Sequence, residues 1–146
     1  MRQQRGFTLI ELLVVLVIIA VVWVGVSLSL RQNPRELLEK DAQRLIAQLE
    51  AARSVSRASG VAWGWHAQGN GYVIQALPEL PQASIAPTTW YSAGVQTRAS
   101  ATDGRVVLGP EPIIAPAWID LFIFDGKTSA QVRIATDGLR SFEVRP

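Results

Sequence analysis

Two features within the first 11 residues could carry chemistry: the Gly6-Phe7 seam and the lone carboxylate of Glu11. Gly6 puts a small residue between a short basic head, Met1-Arg2-Gln3-Gln4-Arg5, and an apolar run. Glu11 stands at the start of that run, and the 19 residues from Leu12 to Leu30 carry no charge. This is close to the roughly 20 residues a helix needs to cross a bilayer. An unpaired carboxylate placed centrally in such a segment costs about 2.5–3.5 kcal/mol or more, so Glu11 calls for a cation. The run is too long for a secretory signal peptide, and no small-x-small cleavage site follows it.

Elsewhere the residue types argue against a reaction centre. His66 is the only histidine; it sits beside a turn, and no Gly-x-Ser-x-Gly elbow accompanies it. No hydrolase triad is expected, and the chain is not read as an enzyme. One histidine and no cysteine exclude the common zinc sites, and no cofactor is expected. Asp120, Asp125 and Asp137 could suggest calcium, but Asp125-Gly126 and Asp137-Gly138 are turn pairs whose own backbone contacts account for them. No metal is expected either. Arg133, Arg140 and Arg145 form a basic strip on the last expected strands, interrupted by Glu143. Beyond Gly60, six basic side chains face seven acidic ones. Phosphate contact needs several clustered cations, so nucleic acid is not an expected partner.

The elements that must position these residues follow from pattern. Asn33-Pro34-Arg35-Glu36 reads as a helix start, with Asn33 as cap and Pro34 in the first turn. Leu38, Ala42, Leu45, Leu49 and Ala52 then recur at 4-3-4-3 spacing, one apolar stripe that should pack on a sheet. Glu39, Arg44, Gln48 and Glu50 face elsewhere, and Ser59-Gly60 should end the helix. After Gly60 the pattern becomes short strands and turns. Trp63 and Trp65 share one strand face, and Gln68-Gly69-Asn70-Gly71 turns the chain into a strand over 72–77. Pro78, Pro81 and Pro87 mark an exposed loop. Further strands are expected at 88–95, 104–108, 117–124, 129–135 and 139–145, with Asp-Gly turns between the last three. Ala101-Thr102-Asp103-Gly104 is echoed by Ala135-Thr136-Asp137-Gly138, which reads as reused turn chemistry. The resulting β-rich domain, 60–146, is small and has no disulfide to help it.

The string Gly6-Phe7-Thr8-Leu9-Ile10-Glu11-Leu12-Leu13 behind a basic head resembles the prepilin leader shared by type IV pilins and type II secretion pseudopilins. The resemblance covers Met1 to about Ala20. It implies that a prepilin peptidase cuts between Gly6 and Phe7 and methylates the new amino terminus at Phe7. It also implies that Glu11 pairs with the amino terminus of a neighbouring subunit during assembly. Such a pair in low dielectric is charged for desolvation, so register rather than stability is the gain. Removing residues 1–6 deletes two of the 14 basic residues and none of the 12 acidic ones, leaving the side chains balanced.

A second resemblance, over Leu45–Arg53, Ser59-Gly60-Val61 and Ala135–Leu139, is to the GspH/FimT group of minor pseudopilins. It implies an α+β, pilin-like fold: a long N-terminal helix, transmembrane then amphipathic, on a small antiparallel β-sandwich. The segments expected are a leader at 1–6, a transmembrane helix at 7–30, an amphipathic helix at 31–59 and a periplasmic β-rich domain at 60–146. The implied function is that of a minor pseudopilin at or near the tip of a type II secretion pseudopilus, which drives export of folded proteins. The partners implied are the major and other minor pseudopilins, prepilin peptidase, the inner membrane and secreted exoproteins. Arg2 and Arg5 set the N-terminus in the cytoplasm and the single-pass chain's C-terminal domain in the periplasm. The alternative is a FimT-like minor pilin of a type IV pilus, which in that group binds DNA.

Overall fold

The computed structural model describes residues 8–29, 33–77, 84–124 and 129–145. It divides into two units, residues 1–33 and 34–146.

The described residues of the first unit form one helix, α1, Leu9–Ser29. Thr8 starts it: the Glu11 amide donates to Thr8 Oγ1 at 3.4 Å, and Leu12 N begins the ladder to the Thr8 carbonyl. Leu, Val and Ile dominate every side of α1, and their exposure runs from 44% at Val15 to 82% at Leu9. Among the described residues no helix is long and apolar enough to cross a membrane. The side chains described for α1 end at Val24, whereas its backbone continues to Ser29. Its 21 residues measure about 31 Å at 1.5 Å per residue. Phe7 and Leu30, the expected ends of the span, lie outside the described residues.

The second unit is built on α2, Pro34–Ser59. Proline lacks an amide proton and its ring fixes φ, so it fits the first helical turn, where that proton has no partner. At the other end Gly60 N donates to Ser56 O at 2.9 Å. The predicted stripe is fully inside: Leu38, Ala42, Leu45 and Leu49 are 0% exposed and Ala52 is 1% exposed.

Among the described residues eight strands form two four-stranded antiparallel sheets. The first has the order β3-β2-β1-β5, from β1 (Trp63–Gln68), β2 (Gly71–Ala76), β3 (Ser84–Thr89) and β5 (Arg105–Leu108). The second has the order β4-β6-β7-β8, from β4 (Gln96–Ala99), β6 (Ala117–Phe124), β7 (Ser129–Thr136) and β8 (Glu143–Arg145). The α2 stripe and the inward residues of both sheets, among them Trp65, Ile74, Leu108, Leu121 and Ile134, make one core. The α+β, pilin-like helix-on-sheets arrangement expected from the sequence is the one observed. Trp63, Trp65 and Trp90 enter the core, while Trp118 is half-buried on the outer face of β6.

The β1–β2 hairpin closes through Gly69-Asn70, where only Gly69 has positive φ (56°), the geometry of a type II′ turn. Both Asp-Gly echoes use one device: Asp103 Oδ1 accepts from Arg105 N, and Asp137 Oδ1 from Leu139 N, each at 3.0 Å. The turn at Asp125-Gly126 lies outside the described residues.

Three expectations fail, for identifiable reasons. Pro87, expected in an exposed loop, lies in β3. There β3 is an edge strand whose register shifts between Tyr72 and Ile74, so Ala86 and Pro87 fall where the ladder is interrupted. The strand expected over 88–95 does not form; β3 ends at Thr89 and β4 begins at Gln96. The Tyr91 and Ser92 amides bond the Asp41 carboxylate at 2.9 Å each, and so do not join a ladder. The last strand begins at Glu143 rather than at 139, because Asp137 takes the Leu139 and Arg140 amides and Glu50 takes that of Phe142.

Gly138 has neither the backbone conformation nor the space for a side chain. Its φ is +92°, and a Cβ there would meet the Ile114 carbonyl oxygen at 2.0 Å. Gly138→Ala should cost about 3 kcal/mol or more, from strain and clash together. Urea melts of the two proteins, read by tryptophan fluorescence, check this; stabilities within about 0.5 kcal/mol would refute the strain argument.

Candidate functional site

Of the residues singled out by the sequence, Gly6 and Phe7 lie outside the described residues. Glu11 occupies the first turn of α1, three residues after Thr8, with an exposed side chain. Thr8-Leu9-Ile10-Glu11 has the spacing of a capping box, and half of it forms through the Glu11 amide. A carboxylate in the first turn also faces the positive end of the helix dipole.

The other named residues do not assemble into one centre. His66 is half-buried in β1, in register with Val73 and Arg105. Asp120 is bound by Arg133, and Asp125 lies outside the described residues. The Arg140 and Leu139 amides hold the Asp137 carboxyl below its usual range. Among the described residues no group of three or more His, Cys, Asp or Glu side chains comes together. Of the basic strip, Arg133 and Arg145 are cross-strand partners, whereas Arg140 lies on the β7–β8 connection.

Pattern reading missed the polar members of the α2 stripe. Asp41, Arg53 and Ser56 are buried, and their spacing continues the apolar one. Residues 38, 41, 45, 49, 52 and 56 are separated by three or four throughout, so spacing puts Asp41 and Ser56 on the stripe, but spacing alone does not reveal the partners that let them be buried.

Each of these groups ties a connection to the helix. Asp41 Oδ1 accepts from Tyr91 N and Oδ2 from Ser92 N, both at 2.9 Å. Arg44 Nη2 adds a 3.1 Å bond to Asp41 and a bond to the Thr89 carbonyl, and its guanidinium lies 3.9 Å from the Tyr91 ring centroid. Further along, Arg53 donates to the carbonyls of Gly138 at 2.8 Å and Arg140 at 3.0 Å, and Phe142 N donates to Glu50 at 2.9 Å. Ser56 Oγ lies 2.7 Å from the Val61 carbonyl and 2.9 Å from that of Leu108. Buried polar groups of this kind are costly unless satisfied, and when satisfied they fix one arrangement. The helix therefore sets the position of the β3–β4 and β7–β8 connections, on which exposed Tyr91, Leu139 and Arg140 stand.

With this geometry in place, comparison with known proteins identifies the N-terminal segment. Residues 1–27 match the prokaryotic N-terminal methylation motif. This is the prepilin signal of type IV pilin-like proteins, and it indicates a substrate of prepilin peptidase. No curated protein and no solved structure matches the chain.

Proposed function

We propose that this chain is a minor pseudopilin of a type II secretion system, of the GspH/FimT group, built into the periplasmic pseudopilus at or near its tip. Prepilin peptidase cuts between Gly6 and Phe7 and methylates Phe7. The chain itself catalyses nothing and needs no cofactor. It works by joining the major and other minor pseudopilins, whose assembly exports folded proteins. The observation that carries this reading is the methylation motif over residues 1–27, joined to a helix apolar on every side. A helix without a polar face has no stable place in water. What supports a bilayer anchor is the sequence, which carries one charge at Glu11 and none from Leu12 to Leu30. On that basis α1 anchors the chain in the inner membrane as a single pass, with Arg2 and Arg5 cytoplasmic and the helix–sheet unit periplasmic. The alternative, a DNA-binding FimT-like pilin, is less well supported, since Arg133 and Arg145 are already paired with Asp120 and Glu143.

Mass spectrometry of the membrane-extracted chain tests the processing step. The expected product begins at N-methylated Phe7. A bulky or charged residue in place of Gly6 should leave the precursor uncut, while Gly6→Ala should still be processed in part. An intact Met1 in cells with active peptidase would overturn the reading.

A further inference from the structure

Strand β8, Glu143-Val144-Arg145, ends its sheet: β7 pairs with one side of it, and among the described residues nothing pairs with the other. Such an edge presents unpaired N–H and C=O groups, which accept a further strand unless the side chains oppose it. Partners in register share a sheet face. Val144 is opposite Ile134, a core residue, so it lies on the core side of the sheet, yet at the edge it stays 39% exposed. Glu143 and Arg145 lie on the outer face, opposite Ala135 and Arg133.

The two charges are poorly served within one copy. Arg145 stands directly opposite Arg133, a like-charge pairing that sheets avoid, and Arg133 is already committed to Asp120 through two bonds. Arg145 reaches Glu143, two residues away on its own strand, at 3.0 Å, with both side chains about half exposed. A cleft of about 680 Å³ lies among Arg35 and Glu39 of α2 and Val144 and Arg145 of β8, so α2 does not fill the space beside Val144.

We propose that β8 pairs edge to edge with β8 of a second copy of this chain, antiparallel and centred on Val144. The order of charges selects that occupant. A two-fold axis at Val144 sets Glu143 directly opposite the second copy's Arg145 and, by symmetry, Arg145 opposite its Glu143. A short charged edge resists most strands, because an arbitrary partner leaves both charges unmatched. The same strand reversed matches both. Backbone bonds and contact between the two Val144 side chains supply the attraction, and the charges fix the register. The sheet of four strands then becomes half of a sheet of eight. One three-residue strand per copy makes a small interface, below the roughly 1,200 Å² of a standard one, so the dimer is weak. The pairing follows from the register of this sheet, whichever filament the chain joins.

The chain has no cysteine, so a single introduced thiol reports the pairing. At the centre of an antiparallel pair the two Cα atoms lie about 4.5–5.5 Å apart, within reach of a disulfide. In the full chain in zwitterionic detergent at low salt, under mild oxidation, Val144→Cys should link two copies at least about tenfold faster than Phe124→Cys, an exposed control. On the Val144→Cys background, Glu143→Arg and Arg145→Glu should each slow the reaction about five- to tenfold, since symmetry then sets like charges opposite each other twice. Mixing these two variants in equal amounts should restore about half the parent rate, because one copy now carries two cations and the other two anions. Both variants lose the Glu143–Arg145 bond within a copy, so recovery on mixing reports pairing between copies. Near-ultraviolet circular dichroism should be unchanged throughout, as the substituted side chains are about half exposed. Three results would overturn the proposal: Val144→Cys linking no faster than Phe124→Cys, no recovery on mixing, or a photocrosslinker on the Val144→Cys thiol joining only a different protein in native membranes.

Discussion

Asp41→Ala should destabilise the helix–sheet unit more than any other single side-chain truncation on α2, by about 3–5 kcal/mol. The carboxylate is 0% exposed and serves three donors: the Tyr91 and Ser92 amides and the Arg44 guanidinium. Alanine would leave those amides without a partner, at roughly 1–3 kcal/mol for each group that stays buried, and would strip Arg44 of its counter-charge. For a unit of this size the melting temperature should fall by roughly 10–20 °C. Glu39→Ala provides the contrast. Its ion pair with Arg35 is an exposed i,i+4 contact, and such pairs contribute about 0.3–0.5 kcal/mol. Thermal melts of both variants decide the matter, and hydrogen exchange adds a local readout, since the Tyr91 and Ser92 amides should lose protection first. If Asp41→Ala melts within about 3 °C of the parent, the carboxylate is not what holds the β3–β4 connection.

That same carboxylate shows where sequence reading stops. The apolar stripe from Leu38 to Ala52 was legible because apolar side chains at helical spacing have one common explanation, a buried face. The β1–β2 hairpin was legible for a similar reason: Gly69 supplies a φ that few residues adopt. Strands β6 and β7 are long, alternating and central, so local pattern and tertiary burial agree. By contrast, a charged residue on the stripe, such as Asp41 or Arg53, reads as solvent-facing unless its partners are known. Those partners lie 50 and 85 residues away, and no local pattern reports them. The errors at 88–95 and 139–142 are the other side of the same fact. Those segments look strand-like, but their amides are taken by Asp41, Asp137 and Glu50. Pro87 misled for a different reason, because a bulged edge strand tolerates a residue with no amide proton. At the N-terminus, the leader signal was fully readable from residue types, and the methylation motif over residues 1–27 agrees with it.

Glu11→Gln should leave cleavage, methylation and membrane insertion intact while sharply reducing incorporation into the filament. The substitution isolates charge. The Thr8 cap engages the Glu11 backbone amide, which glutamine keeps, so the start of α1 is preserved. Two explanations of Glu11 then predict different magnitudes. If the carboxylate only complements the helix dipole, its loss costs about 0.3–1 kcal/mol, less than about a sixfold change in any assembly equilibrium. If, as we propose, it pairs with the methylated amino terminus in a low-dielectric setting, removing it leaves an unpaired buried cation. That costs about 3–5 kcal/mol, equivalent to roughly a hundredfold or greater loss. Glu11→Leu should insert at least as well and assemble no better, because it lacks the same charge. Crosslinking yield to other pseudopilins, measured alongside secretion, separates the two explanations. A sixfold or smaller drop in crosslinking with normal secretion would assign Glu11 to the dipole alone, and a collapse of both would assign it to the pair.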